Sequence, residues 1–465
     1  MENKVFPTQQ LGHLCSKIGS GATPRGGSKV YLDHGAIALI RSQNVRNNYF
    51  KKNGIVFIEQ KHADQLSNAT VEKSDVLLNI TGDSVARCCQ VDPNFLSARV
   101  NQHVAIIRPD PDKIDPKFLR YFLVSPHMQN LMLSWAGAGG TRNALTKGMI
   151  ESFKVPAPLL PEQKAIAHVL GTLDDRIELN RQMNETLEGM AQALFKSWFV
   201  DFDPVIDNAM ASGRKVPEEL GKRAAAHAAL GNKRKPLPAD IRALFPDEFT
   251  HTEELGWIPK GWEVVTLHNI IELTGGGTPK TSVDEYWGGD IPWFSVVDAP
   301  APENIFVIDT VKHVTQLGVE NSSTKILPIG TTIISARGTV GKCALVGQPM
   351  AMNQSCYGIR GKKGIADYFV YYVVRDQVGH LQRGGHGSVF NTVTRDTFKI
   401  IKISMGKAQH TQQFGDCIKP FLDQILANNI QNSVLSKLRD TLLPKLLSGE
   451  LRIPDAEKMV VEAAE

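Results

Sequence analysis

The chain has 465 residues, more than one ordinary hydrophobic core supports, which predicts two or three domains. Its 42% hydrophobic and 22% charged residues exclude a disordered or fibrous protein. The 52 Lys and Arg residues against 48 Asp and Glu give a net charge of +4. This balance excludes a general cationic field, so any nucleic-acid surface must be a local patch.

Cysteine usage and hydropathy bear on the compartment. The six cysteines form no C-x-x-C pair and have no histidine at zinc-like spacing, so we expect reduced thiols and no bound metal. The N-terminus is polar, and no run of about 18 apolar residues follows it. We therefore predict a cytoplasmic protein without signal peptide or membrane span.

An internal repeat organises the chain. Several short blocks occur twice in the same order, separated by small insertions and deletions. The paired blocks are residues 17–24 with 272–279, 37–40 with 291–294, 75–91 with 330–346, 101–102 with 353–354, 143–146 with 391–394 and 150–155 with 398–403. Collinear repetition indicates tandem duplication. We therefore predict two related domains of mixed α/β, or α+β, character.

A long helix is predicted after each repeat. Between residues 162 and 199, and again between 414 and 446, apolar residues recur at alternating spacings of four and three, as in a coiled coil. Asn180 and Asn184 interrupt the first pattern where Asn428 and Asn432 interrupt the second. We predict that the helices pack antiparallel with pseudo-twofold symmetry, the asparagines fixing their register. The alternative is that each helix lies on its own domain with its asparagines solvated. The predicted pairing positions are Leu173, Ile177, Asn180, Asn184, Leu187, Phe421, Ile425, Asn428, Asn432 and Leu435.

Between the first helix and the second repeat lies a polar insert with several basic pairs. We predict a surface connection with short helical pieces, whose basic pairs are either solvated or in contact with phosphate. Phe195, Trp198, Phe199 and Phe202, at the end of the first helix, either dock a partner or pack against the insert and the neighbouring domain. The predicted boundaries are 1–160 for the first domain, 161–200 for its helix, 201–255 for the insert, 256–405 for the second domain, 406–450 for the second helix and 451–465 for a flexible tail.

The length of the helices suggests a use for the duplication. At about 1.5 Å per residue, a helix of some 38 residues is on the order of 55 Å long. One turn of B-DNA measures about 34 Å, so domains held apart by such helices could read two segments of one duplex. The repeats differ outside the shared blocks, so we expect the two segments to differ in sequence.

Four stretches of the helices resemble a known family. They are residues 160–164 (Leu-Pro-Glu-Gln-Lys), 173–177 (Leu-Asp-Asp-Arg-Ile), 197–203 (Ser-Trp-Phe-Val-Asp-Phe-Asp) and 443–451 (Leu-Pro-Lys-Leu-Leu-Ser-Gly-Glu-Leu). Together with the repeat, which covers nearly the whole chain, they are similar to the specificity subunits of type I restriction-modification enzymes. The second helix departs from the pattern, since residues 408–413 lack the Pro-Glu-Gln of the first. This departure leaves open whether both ends dock a partner equally.

The resemblance implies two target recognition domains, each reading one half of a split double-stranded DNA site. It implies spacer helices that dock two methyltransferase subunits, with restriction and translocase subunits joining the assembly. It also implies that S-adenosylmethionine, Mg²⁺ and ATP bind those partner subunits and that this chain binds no cofactor.

No assembled catalytic motif accompanies these features. The sequence contains no phosphate-binding GxxxxGK[ST] loop, no HExxH and no Asn-Pro-Pro-Tyr-like element, so we predict no catalytic residues. Polar and basic residues in loops are instead candidates for contacts with phosphates and base edges. These candidates are Thr23, Arg25, Arg41, Gln43, Asn44, Arg87, Thr141 and Arg142 in the first domain, and Thr278, Lys280, Ser295, Arg337, Lys342, Arg383, His386 and Ser388 in the second. Asn101-Gln102 and Asn353-Gln354, common to both repeats, are interpreted as structural turns.

Two functions of other classes compete with DNA recognition. A self-sufficient restriction-methylation enzyme would need a methyltransferase fold of its own and would modify or cut DNA unaided. A coiled-coil scaffold with two protein-binding modules would show no preference between specific and random duplex.

Overall fold

The computed structural model describes residues 6–137, 144–235, 237–300, 304–383 and 392–464. By contact density the chain divides into two compact units. One unit comprises Met1–Glu178 and Asn432–Glu465, and the other comprises Leu179–Gln431. Each unit therefore holds one of the repeated domains together with one half of each long helix.

The first domain contains two small sheets and short helices. Its strands are β1 (Thr8–Gln10), β2 (Cys15–Ser20), β3 (Ile37–Ile40), β4 (Val56–Ile58), β5 (Val76–Asn79), β6 (Cys88–Gln90), β7 (Arg99–Val100), β8 (Val104–Pro109) and β9 (Lys154–Pro156). Its helices are α1 (Leu11–Leu14), α2 (Gln60–Gln65), α3 (Pro116–Val124), α4 (Pro126–Gly137) and α5 (Lys147–Glu151). An antiparallel sheet has the order β2-β8-β5-β6, a second sheet has the order β4-β3-β7, and β1 pairs with β9. The β3–β7 pair is parallel.

A long helix and the insert follow the first domain. The helices are α6 (Leu160–Phe199), α7 (Asp203–Ala211), α8 (Glu218–Leu230) and α9 (Ala239–Arg242), and the strands β10 (Phe249–Thr252) and β11 (Gly256–Pro259) form a hairpin. The insert packs more tightly than the predicted surface connection, because Val205 and Ile206 are fully buried. Its arginines Arg223 and Arg234 form ion pairs with Asp203 and Asp207, so these cations are engaged within the protein.

The second domain repeats the two-sheet plan of the first. Its strands are β12 (Glu263–Thr266), β13 (Ile271–Gly275), β14 (Trp287–Phe294), β15 (Phe306–Val307), β16 (His313–Val314), β17 (Thr332–Ser335), β18 (Cys343–Val346), β19 (Ala351–Met352), β20 (Cys356–Gly361) and β21 (Lys402–Met405). Its helices are α10 (Leu267–Ile270), α11 (Gln316–Glu320), α12 (Asp367–Arg383) and α13 (Thr397–Ile400). The larger sheet has the order β13-β20-β17-β18-β15, the smaller β16-β14-β19, and β12 pairs with β21. The β14–β19 pair is parallel, as is its counterpart in the first domain.

Two helices end the chain, α14 (Ala408–Ser448) and α15 (Ile453–Ala464). The prediction of a flexible tail after residue 450 is wrong for most of that segment. Ile453, Ala456 and Val460 recur at spacings of three and four, which gives α15 one apolar side. Ala456 and Val460 are buried in the core of the first unit, and their burial keeps the terminal helix folded onto it.

Helices α6 and α14 pair within each unit. In the first unit Leu173, Ile177 and Leu435 are buried together in the core. In the second unit the Asn184 side chain donates to Asn429 Oδ1 and accepts from Asn428 Nδ2, both at 2.8 Å.

Asn180 adds a third amide contact, because its Nδ2 donates to Gln431 Oε1 at 2.8 Å. Asn180 precedes Asn184 while Gln431 follows Asn429, so the helices run antiparallel in this unit. Asn180 and Asn184 are 2% and 0% exposed, which contradicts the alternative in which they are solvated. Of the remaining predicted pairing positions, Ile425 and Asn428 are buried, and Leu187, Phe421 and Asn432 are partly buried.

Candidate nucleic-acid interface

In each domain a glycine loop crosses directly over a second loop. A Cβ atom added to Gly21 would lie 1.7 Å from the Val100 carbonyl oxygen, and one added to Gly276 would lie 1.9 Å from the Asn353 carbonyl oxygen. Only glycine permits such an approach of two backbones. The Gly-x-Thr-Pro block is therefore repeated because both domains need the same loop crossing.

The crossing is completed by a threonine–glutamine hydrogen bond. Thr23 Oγ1 donates to Gln102 Oε1, and Thr278 Oγ1 donates to Gln354 Oε1. Both glutamines are exposed. Their interpretation as parts of purely structural turns therefore misses two exposed amides that lie beside candidate site residues.

The neighbouring asparagines do shape turns, as predicted. Asn101 Oδ1 accepts the His103 backbone N–H at 3.1 Å, and Asn353 Oδ1 accepts that of Ser355 at 3.0 Å. Such asparagine turns hold the chain by a local side-chain bond to the backbone. They fix the position of the exposed glutamine that follows each asparagine.

A second shared feature is the short 3₁₀ turn after the first strand of each smaller sheet. The turns are Ser42–Asn44 and Val296–Asp298. Asn44 Oδ1 accepts the Arg41 backbone N–H at 3.0 Å, and Asp298 Oδ2 accepts that of Ser295 at 2.8 Å. Counted from Arg41 and Ser295 as the first residues, the fourth residue therefore closes the turn in both domains, as Asn44 in one and Asp298 in the other.

This geometry corrects three candidate contacts. Asn44 is fully buried, and its Nδ2 donates to the Lys51 carbonyl, so its amide is structural. The Ser295 hydroxyl donates to Asp298. The Arg41 guanidinium donates to the Gly54 carbonyl at 2.7 Å and lies 5.4 Å from the centre of the Tyr31 ring. Arg41 and Ser295, both predicted to contact DNA, are thus engaged within their own domains.

Backbone bonds join a third loop to the same place. The loop between β5 and β6 carries Arg87, and its equivalent between β17 and β18 carries Arg337 and Lys342. The Asn79 N–H donates to the Arg87 carbonyl, as the Ser335 N–H donates to that of Lys342.

These hairpins also contact the asparagine turns. The Ile80 N–H donates to the His103 carbonyl at 3.0 Å, and the Ala336 N–H donates to the Ser355 carbonyl at 2.7 Å. The Asn101 and Asn353 N–H groups donate to the carbonyls of Ile40 and Phe294, directly before the 3₁₀ turns, at 3.0 and 2.9 Å. Each domain therefore gathers its glycine loop, 3₁₀ turn, hairpin and asparagine turn into one cluster, which we call the loop cluster.

The remaining candidates divide into exposed groups and groups outside the described residues. Arg25, Gln43, Lys280, Arg337 and Lys342 are exposed, and Arg87 is half-buried. Thr141, Arg142, His386 and Ser388 lie outside the described residues, as does the side chain of Arg383.

The start of each long helix is held by a side chain that the sequence analysis did not assign. Gln163 is 1% exposed, and its Oε1 accepts the Asp115 N–H at 2.8 Å. In the second domain the Thr411 hydroxyl accepts the Ala366 N–H at 3.2 Å. Thr411 therefore accepts a backbone N–H of the second domain, as Gln163 does in the first. The missing Pro-Glu-Gln thus does not remove the contact between α14 and its domain.

Buried ion pairs of α6 stabilise its packing within each unit. In the first unit the Asp174 carboxylate accepts hydrogen bonds from Arg120 at 2.9 Å, Tyr121 at 2.7 Å and Arg439 at 2.8 Å. In the second unit Glu188 accepts hydrogen bonds from Tyr372 and Arg375. Paired charges of this kind specify one register, because a shifted register would leave a buried charge without a partner.

The aromatic cluster at the end of α6 packs internally. Trp198 is 1% exposed, and the Phe199 ring lies 4.7 Å from that of Phe369 and 5.4 Å from that of Phe414. Phe202 contacts Trp262 at 5.8 Å between ring centres. The cluster therefore belongs to the core of the second unit, which decides between the two readings left open by the sequence.

Within the described ranges, no group of three or more His, Cys, Asp or Glu side chains is placed to hold a metal ion. Burial raises the pKa of the Cys89 and Cys356 thiols to about 12, so these thiols stay protonated at neutral pH. Neither α6, α14 nor any other helix of the described chain offers the apolar length that a bilayer crossing needs.

Comparison with known proteins agrees with this architecture. The family model for the type I restriction modification DNA specificity domain matches residues 4–189 and 259–436. The HindI specificity subunit of Haemophilus influenzae is 27% identical over 89% of this chain and 94% of its own length. The MjaIX specificity subunit of Methanocaldococcus jannaschii is 32% identical over 43% of this chain and 46% of its own.

Among solved structures, the S subunit of a type I restriction-modification system from M. genitalium superimposes with a TM-score of 0.52 at 14% identity. The superposition covers 96% of this chain and 97% of that one, and it supports the fold. Both repeats match the same family model, and together the two matches span most of the sequence. The chain belongs to the type I restriction modification DNA specificity domain family.

Proposed function

We propose that this chain is the DNA-specificity subunit of a type I restriction-modification complex and reads a bipartite, asymmetric double-stranded site, one half per domain. One observation carries the proposal: the two domains build the same loop cluster from the same backbone contacts but place different side chains on it. A shared frame suits a shared duplex, and unlike side chains suit unlike half-sites. The chain itself acts by recognition and positioning, without catalysis.

The loop cluster has the chemistry that DNA recognition uses. Exposed Arg25 and Lys280 flank the glycine loops, and exposed Arg337 and Lys342 lie in the hairpin loop of the second domain. Cations and backbone N–H groups bind phosphates and supply most of the affinity, while amides and arginines discriminate base edges. Exposed Gln102 and Gln354 supply the amides, whereas Gln43 Nε2 donates to the Gly54 carbonyl at 2.8 Å within its own domain.

The partners we propose are two methyltransferase subunits together with restriction and translocase subunits. Leu179, Met183 and Met190 are 49%, 40% and 49% exposed and recur at spacings of four and seven on one side of α6, and Ile430 on α14 is 49% exposed. An exposed apolar row on a helix fits the apolar face of a partner helix. We propose that a methyltransferase subunit covers it. The S-adenosylmethionine, Mg²⁺ and ATP of the reaction would bind the partner subunits, in the cytoplasm where the genome lies.

The test begins with co-expression of the chain and its methyltransferase subunit, followed by sequencing of methylated bases in the host. A split motif with two unlike halves is expected. Purified complex is then titrated with duplex carrying this motif and with random duplex over a series of salt concentrations. The motif is expected to bind at least 10³-fold more tightly, on the order seen for specific readers.

Charge variants locate the binding surface. Replacing Arg87 or Lys342 by Ala is expected to weaken binding and to lower the salt slope by about one counterion each. Lys458→Ala, at an exposed position of α15, removes the same charge elsewhere and serves as the matched control. Equal binding of motif and random duplex would overturn the proposal and would favour a protein scaffold. Methylation or cleavage by the isolated chain would favour a self-sufficient enzyme.

A further inference from the structure

The 3₁₀ turns place different side chains at one equivalent position. In both domains a hydrogen bond joins the first and fourth residues of the turn, which are Arg41 and Asn44 in the first domain and Ser295 and Asp298 in the second. The third residue is the exposed one, and it is Gln43 in the first domain and Val297 in the second. The two domains therefore differ in chemistry at this exposed position, which carries an amide in one and an isopropyl group in the other.

Val297 is unusually exposed for an apolar residue, at 74%, and a second valine nearby, Val311, is 80% exposed. Asp298 links the two segments, because its Oδ2 accepts the Ser295 N–H while its Oδ1 accepts the Val311 N–H at 2.8 Å. Two exposed apolar side chains thus lie on neighbouring segments that Asp298 joins, one in the 3₁₀ turn and one before β16.

The surroundings fit a nucleic acid. Val311 lines a hollow of about 490 Å³ together with Thr281, Asp284, Trp287 and Lys312, so the hollow carries an acidic and a basic side chain. The Lys312 ammonium lies 5.7 Å from the centre of the Trp287 ring, and the Trp287 indole N–H donates to the Lys280 carbonyl at 3.4 Å. Val311 therefore lies on the side of the domain that carries the glycine loop and two exposed lysines, and Asp298 holds the turn that bears Val297 against the Val311 segment. The two lysines suit the phosphates on either side of a base being read.

We infer that Val297 and Val311 contact the 5-methyl group of a thymine in the half-site read by the second domain. This inference rests on the proposed function. Thymine is distinguished in the major groove by this methyl group, which apolar side chains recognise. Gln43 at the equivalent position of the first domain carries an amide, so that domain has no matching apolar contact there.

Deoxyuridine tests the inference, because it differs from thymidine only by the missing 5-methyl group. The complex with its methyltransferase subunit is titrated with duplexes in which each thymine of the second half-site is replaced in turn. One replacement is expected to weaken binding about three- to tenfold, the equivalent of burying one or two methyl-sized groups. Val297→Ser and Val311→Ser are expected to bind thymine and deoxyuridine duplexes equally at that position. Both sites are exposed, and thermal unfolding confirms that the variants fold.

Val461→Ser on α15, which is 59% exposed, is the matched control and is expected to keep the full discrimination. Insensitivity to deoxyuridine throughout the second half-site, or a half-site without an A·T pair, would overturn the inference while leaving specific binding intact. Loss of methyltransferase co-purification in the valine variants with unchanged deoxyuridine discrimination would assign the valines to a protein contact instead. Absence of any specific binding would refute the proposed function itself.

Discussion

The carboxylate of Asp174 offers the most direct test of how the helix pair is held in the first unit. It accepts bonds from Arg120 on α3, Tyr121 on α3 and Arg439 on α14. Arg120 is 7% exposed, so removing the carboxylate leaves a buried cation without its partner. Breaking a buried pair from one side destabilises by about 3 to 5 kcal/mol, so Asp174→Ala should lower the free energy of unfolding by that order.

The neighbouring Asp175 supplies the matched control, since it is exposed on the same helical turn. Asp175→Ala is expected to change stability by no more than about 0.5 kcal/mol. Urea unfolding compares the variants, and hydrogen exchange locates the effect, with faster exchange expected in residues 160–178 and 432–448 of the Asp174 variant. Equal unfolding midpoints for the two variants would show that the buried carboxylate does not hold the helices.

Two further predictions concern the amide contact between α6 and α14 in the second unit and the buried thiols of Cys89 and Cys356. Asn184→Leu leaves the amides of Asn428 and Asn429 without their partner and should lower the free energy of unfolding by about 1 to 3 kcal/mol. Urea unfolding measures the change, and Glu185→Leu, at an exposed position, should not lower it. A stabilised Asn184 variant would contradict this prediction. Cys89 and Cys356 should resist thiol reagents at pH 8 in the folded chain and react after unfolding. Because their pKa is raised from 9.0 to about 12, the folded state retains protons that the unfolded state releases. Stability should therefore fall between pH 9 and 12, and rapid labelling of the folded chain would contradict their burial.

Much of the architecture was predictable because duplication leaves a periodic record. The heptad spacing predicts the pairing of α6 with α14, and the interruption at Asn184 marks the point where amides meet across the helices. The partners Asn429 and Gln431 were not predictable, because each lies one position off the expected spacing. A one-dimensional pattern identifies the face of a helix but not which of two adjacent side chains closes the contact.

The loop cluster shows a similar limit. Shared blocks predict that both domains need the same backbone, and the loop crossing at Gly21 explains one of them. Closure of the 3₁₀ turn decides which of its side chains face outward, since it buries Asn44 and exposes Val297. The turn propensities of the residues do not predict which side chain is buried and which is exposed. Terminal helix α15 was missed because its short apolar side folds against a core built from distant residues.

The central claim is that the two domains read two half-sites independently. Its most direct test replaces residues 1–160 with the corresponding segment of a relative that recognises another sequence, and determines the methylated motif in the host genome. The account predicts that one half of the motif changes to that of the donor while the other half is retained. A motif in which both halves change, or in which neither does, would contradict it.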